Sequence, residues 1–425
     1  MAPRHESYGG RRGRKRAVRG VVRSAECGKG ETGQRMKFLH LADLHLGKVV
    51  NEFSMVEDQR FVLDQIVALI NQRSIDAVLI AGDIYDKTNP SSESVALVDE
   101  FLGRIASTGA RVIAIAGNHD SDERVAYASG LLKHQGIYMT PVFGGTISPV
   151  ELSDEYGPVL FWPLPFLRPS EVRGLAGYEE AEIGTDYTAM MREVIARCQL
   201  DTGLRNVALA HQFVTAGSQG PQLGGSEMSI NVGTLDNINS QVFDPFDYVA
   251  LGHIHRPQRV GRDEVRYAGS PLCYHRSEMA YEKTVPVVEL GEKGQVTIDL
   301  VPVAPLHDMR EVRGTLSQVL DQDALAVLAP EQFEDYLFVT LTNEDPVVNA
   351  LADLRRTFPN TMAVSYDNTR TRASGAMVSQ EDVRQAVSDP FVLFEQLFEA
   401  QNGRPMDEVE LSEAKSLFDS IVKGA

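Results

Sequence analysis

Seven side chains able to bind metal ions stand at or near the ends of short apolar runs. The clearest is Asp83 in Ala81-Gly82-Asp83, which follows Ala77-Val78-Leu79-Ile80. It is a carboxylate at the exit of a buried strand, preceded by a glycine that lets the backbone turn. Matching chemistry occurs in Asp43-Leu44-His45, in Gly117-Asn118-His119-Asp120, at His211 and in Gly252-His253-Ile254-His255. The spacing Asp43-x-His45 and His253-x-His255 puts both members of each pair on one side of an extended strand end. The mixture of oxygen and imidazole donors suits Mn, Fe, Zn or Co better than Ca or Mg. We read these residues as a two-metal site with Asp83 shared by both ions, about 3.5 to 4 Å apart, where a water would lose a proton near neutral pH. The resulting hydroxide is expected to attack phosphorus in line while the ions stabilise charge on the phosphoryl oxygens. His119 is cast as general acid for the leaving oxygen or as donor to the scissile phosphate. Asp120 is expected to orient His119 through its other ring nitrogen.

These residues need strands to deliver them. Lys37 to Ala42, Ala77 to Ala81, Arg111 to Ala116, Asn206 to Ala210 and Asp247 to Leu251 read as buried strands. Glu57 to Arg73 and Glu93 to Ala106 read as amphipathic crossover helices. Strands alternating with helices indicate a largely parallel sheet, with ligands at the carboxyl ends of its strands. Residues 137–165 look strand-rich, Tyr178 to Cys198 looks helical, and the glycine-rich segment Ala216 to Gly233 is expected to be a mobile loop beside the site. Val265 to Ala268, Val285 to Leu290 and Val296 to Val301 are expected to form a second sheet closing the core.

A boundary is placed near Pro302-Val303-Ala304-Pro305. Beyond it, strands at Tyr336 to Leu341 and Met362 to Tyr366, with a helix near Val347 to Arg356, suit a small α/β domain over 306–378. From residue 379 to 425 the pattern is helical. Asp389-Pro390 resembles a helix start, Phe391, Phe394, Leu397 and Phe398 form an apolar stripe, and Leu411 to Val422 reads as its partner helix.

With 41 Lys and Arg against 59 Asp and Glu, the chain has a formal charge of −18, which argues against indiscriminate binding to nucleic acid or anionic membranes. Bound cations can still supply local positive charge. Residues 1–35 run against the trend, with ten Lys or Arg and three Glu. We read them as a disordered basic extension ahead of a natural start at Met36, rather than as a nucleic-acid arm. Cys27, Cys198 and Cys273 are three in number and widely spaced, which suggests a reducing cytosol and no disulfide framework. No apolar run reaches the length of a membrane-spanning helix.

In order and spacing, these motifs resemble those of the calcineurin-like metallophosphoesterases. Longer strings resemble the SbcD branch of nuclease subunits. They are Met36-Lys37-Phe38-Leu39-His40 leading into Asp43-Leu44-His45-Leu46-Gly47, His211-Gln212-Phe213-Val214, Gly252-His253-Ile254-His255-Arg256-Pro257-Gln258 and Tyr267-Ala268-Gly269-Ser270-Pro271-Leu272. The resemblance implies a two-sheet α/β/β/α sandwich over 36–305, a small α/β capping and DNA-binding domain over 306–378, and C-terminal helices over 379–425 that dock on a partner. It implies two ions, most often manganese, one held by Asp43, His45, Asp83 and His255 and the other by Asp83, Asn118, His211 and His253. It further implies a cytoplasmic DNA repair and recombination nuclease acting on ends and hairpins, 3′–5′ exonucleolytic on duplexes and endonucleolytic on single strands. The partner would be an SbcC-like coiled-coil ATPase, in a heterotetramer with two copies of each subunit. Two other readings carry the same residues: a dinuclear phosphoesterase acting on small nucleotides or phosphoproteins, and a DNA-end tether whose metals are structural. Lys48, Lys87, Arg124, Arg256 and His275-Arg276 are candidate phosphate contacts, whereas His40, His134 and His307 read as structural.

Overall fold

The computed structural model describes residues 35–178, 183–217, 220–223, 237–345, 347–369 and 371, and beyond that 391, 394–395, 398, 404–407, 410–412 and 414–415. Apart from Arg35, the basic extension lies outside the described residues, as do most of the glycine-rich loop and Leu397 of the apolar stripe. Phe391, Phe394 and Phe398 are helical.

The chain opens with β1 (Met36–Leu41), a short hairpin of β2 (Val49–Val50) and β3 (Phe53–Ser54), α1 (Val56–Arg73), β4 (Ala77–Ala81), α2 (Ser92–Thr108) and β5 (Arg111–Ile115). Two single helical turns, α3 (Asp122–Val125) and α4 (Ser129–Leu132), lead to β6 (Ile137–Met139). Next come β7 (Val150–Asp154), β8 (Gly157–Leu164), α5 (Pro169–Arg173), α6 (Tyr187–Arg197), β9 (Arg205–His211), β10 (Val214–Thr215), β11 (Ile238–Asn239) and β12 (Tyr248–Gly252). β13 (Gln258–Val260), β14 (Arg262–Tyr267), β15 (Thr284–Leu290) and β16 (Val296–Pro302) complete this part.

Two six-stranded sheets result, ordered β16-β15-β1-β4-β5-β6 and β13-β14-β12-β9-β8-β7. Their facing surfaces enclose a core of Phe38, Leu79, Ile113, Phe161, Val207, Leu209, Tyr248 and Val288, all shielded from solvent. Phe38 meets Phe161 and Tyr248 edge-on at 5.7 and 5.3 Å between ring centroids. Helices α1 and α2 cover the outer face of the first sheet through Val62, Ile66, Ile70, Leu97, Phe101 and Ile105. Helix α6, through Met190, Met191 and Val194, covers the second. The architecture is the expected four-layer α/β/β/α sandwich. Among the described residues, no helix is long and apolar enough to cross a membrane.

Two expectations need correction. Only β14 of the three late strands joins the second sheet: β15 and β16 extend the first, β15 pairing antiparallel with β1 from Met36↔Leu290 to Leu39↔Val287. Alternating burial tells that a strand has an inner face but not which neighbour it hydrogen-bonds. The helix expected from Tyr178 begins only at Tyr187, because Asp186 caps it, its carboxylate accepting from the Thr188 and Ala189 amides at 2.7 and 3.2 Å.

Past residue 305, β17 (Met309–Gly314), α7 (Leu316–Val319), α8 (Gln322–Ala326), β18 (Tyr336–Leu341), α9 (Ala350–Thr357) and β19 (Thr361–Tyr366) build a three-stranded parallel sheet. Strand β17 escaped the sequence reading because Arg310, Glu311 and Arg313 break up its apolar signal. One face of its neighbour β18, formed by Leu337, Val339 and Leu341, packs with Leu354 of α9. The other face, with Tyr336 and Phe338, continues the core beneath α1. Buried Asp58 of α1 clasps the junction, accepting from the His307 amide at 3.0 Å and the Tyr336 hydroxyl at 2.8 Å and lying 3.2 Å from His307 Nδ1.

Candidate metal centre

All seven expected ligands stand at one end of the two sheets, on four loops and, for His211, at the last residue of β9. Ten non-glycine residues have positive φ among the described residues, and four of them belong to this set: Asp43 at 52°, His45 at 45°, Asp83 at 51° and His253 at 99°. Such backbone is costly for residues bearing a Cβ and persists where surrounding structure over-determines it. Here the surroundings are cross-loop hydrogen bonds. The Asp43 amide donates to Gly82 O at 3.1 Å and the His45 amide to Asp83 O at 2.9 Å, so the first two loops run side by side. The His253 amide donates to Asp43 Oδ1 at 2.9 Å and ties the second sheet to the first.

Glycine is demanded where the sheets approach most closely. A Cβ on Gly82, whose φ is 86°, would lie 2.3 Å from His211 Nδ1. One on Gly252 would lie 2.0 Å from Ala81 O and 2.7 Å from His211 Nδ1, the two atoms whose 2.8 Å hydrogen bond sets the His211 ring. Gly252→Ala is therefore expected to destabilise the protein by about 1–3 kcal/mol and to impair metal binding together with stability. Thermal denaturation and metal analysis check this, and wild-type values in both would contradict it.

The ring contacts converge on a small volume. His45 Nε2 lies 3.0 Å from His255 Nε2 and 3.6 Å from Asp83 Oδ2. His211 Nε2 lies 3.3 Å from Asp83 Oδ2 and 3.0 Å from Asn118 Oδ1, and His253 Nδ1 lies 2.9 Å from the same Asn118 oxygen. Since Ala81 O can only accept, His211 Nδ1 carries a hydrogen, and in the neutral ring Nε2 aims a lone pair at two oxygens. Asp43 Oδ2 is buried with no hydrogen-bond partner among the described residues. Lone pairs crowded in this way require a cation between them, proton or metal. The residues present fit a divalent ion. One donor atom each from Asp43, His45 and His255 lies within 4.8 Å of the others, as does one each from Asp43, Asp83 and His211. A third triad, His45, Asp86 and His119, is more open, and the Asp86 carboxylate there already pairs with Lys48 Nζ at 2.7 Å.

Ionisation follows from this crowding. Burial opposes charge on His211, yet the Asp83 carboxylate outweighs it and pushes the pKa up to about 9. Burial would likewise raise Asp83, but His211 and His45 hold it far below the usual carboxylate range. Burial drives His253 down to about 3, assisted by charge on His211, and holds His45 well below its ordinary value. Burial also lifts Asp43 to about 6. Neighbouring groups pushed in opposite directions are typical of functional sites.

His119 stands at the edge of this cluster, its ring edge-on to His45 at 4.8 Å. Its orientation differs from expectation. Asp86 O, not Asp120, lies 3.0 Å from His119 Nδ1, while the Asp120 carboxylate accepts from the amides of Ile84, Tyr85 and Gly117 at 3.1, 2.9 and 2.9 Å. Asp120 thus braces the loops after β4 and β5 against each other. A carboxylate near three unsatisfied amides is drawn to them more strongly than to one ring nitrogen.

Other residues at the site carried no motif. Gln59 Nε2 donates to His45 O at 2.8 Å, and the Tyr274 hydroxyl donates to Leu44 O at 2.5 Å, so both steady the first loop. Phe166 stacks on His253 at 6.4 Å and meets His211 edge-on at 6.3 Å, walling one side. Asp86 lies three residues past Asp83, a spacing that could have drawn notice. Glu278 lies 3.1 Å from His255 Nδ1, with nothing in its surrounding sequence to suggest it. Burial would raise the Glu278 acid, but Lys283 and His255 lower its pKa to about 2. Among the candidate phosphate contacts, Lys48 pairs with Asp86, Arg256 lies over the Tyr281 ring at 5.0 Å, Arg276 lies 4.0 Å from Glu311, and Lys87 and Arg124 are exposed. His40 is buried, 3.0 Å from the Tyr248 hydroxyl, away from the cluster.

A family model described as calcineurin-like phosphoesterase matches residues 36–257, more than half of the chain. The chain belongs to the calcineurin-like phosphoesterases. A second family model, SbcD_C, described as type 5 capsule protein repressor C-terminal domain, matches residues 305–402 of the same phosphoesterase. The two matches together are consistent with an SbcD-type nuclease subunit. Among solved structures, a dimetal phosphatase from Danio rerio aligns at 14% identity over 63% of this chain and 99% of its own, with a TM-score of 0.36. TT1561 of Thermus thermophilus aligns at 12% identity over 63% and 99%, with a TM-score of 0.37. The phosphoesterase is a hydrolase whose histidine and aspartate groupings suit a divalent dimetal site.

Proposed function

We propose that this phosphoesterase is the nuclease subunit of an SbcD-type complex. It cleaves phosphodiester bonds at DNA ends and hairpins, as a 3′–5′ exonuclease on duplexes and an endonuclease on single strands. It works in the cytoplasm and on the nucleoid, in DNA repair and recombination. Its partner is an SbcC-like coiled-coil ATPase, and two copies of each subunit form the complex. The observation that carries this reading is the pairing, on one chain, of the phosphoesterase match with the SbcD_C match over 305–402.

In this reading Asp43, His45, Asp83 and His255 hold one ion and Asp83, Asn118, His211 and His253 the other, both manganese. The Asp43 oxygen left without a hydrogen-bond partner among the described residues and the converging imidazoles support the assignment. When bound, the two ions act as Lewis acids that acidify water and withdraw charge from phosphoryl oxygens. The chain's own groups do the rest. Ala81 O fixes the His211 ring, Asn118 Oδ1 lies beside the His211 and His253 ring nitrogens, and Asp120 keeps two ligand loops in register. His119, whose Nδ1–H donates to Asp86 O, turns Nε2 to the substrate, and in the doubly protonated ring that nitrogen is the proton donor to the leaving oxygen or to the phosphate. We assign 36–305 to the catalytic domain, 306–378 to a cap that contacts DNA, and 379–425 to docking on the ATPase by helix-in-groove packing.

The test is a panel of substrates given to the purified protein with Mn²⁺, alone and with the ATPase: linear duplex, hairpin, single-stranded circle, a cyclic nucleotide and a phosphopeptide. Cleavage of duplex ends and hairpins is expected. Turnover confined to the cyclic nucleotide or phosphopeptide would end the nuclease reading and leave the small-substrate phosphoesterase in its place.

A further inference from the structure

Glu278 lies in a single 3-10 turn, Arg276–Ala280, with its side chain fully buried, and no step described above uses it. Its two oxygens face different groups. Oε2 accepts from Lys283 Nζ at 2.6 Å and Ser270 Oγ at 3.2 Å and lies 3.4 Å from the Tyr274 amide, while Oε1 lies 3.1 Å from His255 Nδ1. Lys283 Nζ also donates to Ser270 Oγ at 2.8 Å and to His255 O at 3.3 Å, so the same ammonium holds the backbone of the residue whose ring Glu278 holds. Taking a carboxylate and an ammonium out of water costs several kcal/mol per ion, and an apolar pair of similar volume is often as stable or more so. Stability alone therefore does not account for an ion pair here, whereas the contact made by Oε1 does. An ionised carboxylate can only accept, so His255 Nδ1 carries the hydrogen and Nε2 carries the lone pair. That Nε2 lies 3.0 Å from His45 Nε2, at the middle of the cluster.

We infer that Glu278 is a positioning residue for the metal centre: it fixes the tautomer and rotation of His255 so that Nε2 faces the ion also held by Asp43, His45 and Asp83. Lys283 and Ser270 hold the carboxylate in place. The inference rests on the ligand role proposed above for His255. His211 supplies the parallel within the same site, its Nδ1 set by Ala81 O, but there a strand carbonyl does the work, whereas His255 follows the end of β12 and needs a side chain from elsewhere. Partners of this kind are typically worth about 10–100-fold in metal affinity.

Three proteins, titrated with Mn²⁺ by calorimetry in the absence of substrate, test this: wild type, E278Q/K283M and E278L/K283M. Both double variants remove the ion pair, but only the glutamine keeps an acceptor for His255 Nδ1. The wild type is expected to bind two ions per chain, E278Q/K283M to bind both at close to wild-type affinity, and E278L/K283M to bind one of them about 10–100-fold more weakly. The metal-free variants are expected to melt together. Equal affinities in all three proteins, or equal losses in both variants, would overturn the inference. A wild type that binds no Mn²⁺ would instead sink the ligand assignment. If the variants fail to fold, a structure of the Mn²⁺-loaded wild type decides: His255 Nε2 on the ion with Nδ1 on Glu278 upholds the inference, and ligation through Nδ1 or a displaced Glu278 overturns it.

Discussion

Replacing Asp83 by asparagine is expected to reduce manganese binding from two ions per chain to none at micromolar metal and to lower phosphodiester cleavage by about 10⁴-fold, or about 5 kcal/mol of transition-state stabilisation. The expectation follows from how many elements meet at this one carboxylate. Oδ2 lies 3.3 Å from His211 Nε2 and 3.6 Å from His45 Nε2, while Oδ1 accepts from the His119 amide at 2.8 Å. Asparagine keeps the shape but removes the charge and turns an amide hydrogen toward ring nitrogens that need to present lone pairs. The fold should survive, because no apolar contact is lost and a buried charge is removed. Metal analysis, cleavage of a duplex substrate and a melting curve on the same sample check all three parts. A variant that kept both ions and the wild-type rate would show that Asp83 is not shared.

His119→Ala is expected to lower kcat about 10²–10⁴-fold while both ions stay bound. The two effects are expected to separate because His119 meets the centre through its backbone amide and an edge-on contact with His45 and is not among the seven proposed ligands. Its ring is half-buried, and Nδ1 is engaged by Asp86 O at 3.0 Å, so the other nitrogen is turned to a different side of the ring. The comparison with Asp83→Asn is informative: one variant loses metal and rate together, the other rate alone. Loss of metal on removing His119 would recast it as a ligand, and an unchanged kcat would remove it from the chemistry.

Much of this arrangement was legible in residue order. Each of Asp43, Asp83, Asn118, His211, His253 and His255 lies at or just past the end of a run such as Ala77–Ala81 that is apolar on both faces, and runs this short, alternating with helical patterns, read as buried strands. Parallel strands of one sheet end on the same edge, so the polar residues after β1, β4 and β5 gather on one edge and those at the ends of β9 and β12 on another, and the packing of the two sheets brings these edges together. Local pattern also marked α1 and α2, whose apolar residues recur at helical spacing, and the strand Tyr336–Leu341.

What the sequence by itself determined is therefore which side chains sit at strand ends and which chemistry their types allow. Tertiary structure alone decided how they are held. It placed β15 beside β1, turned the Asp120 carboxylate to three amides and gave His119 to Asp86 O. It also brought Glu278 from 23 residues beyond His255 to within 3.1 Å of its ring. The reason is physical. Burial periodicity is written into a chain every two or 3.6 residues, whereas a hydrogen bond between distant segments depends on donor and acceptor geometry that exists only after the sheets have packed.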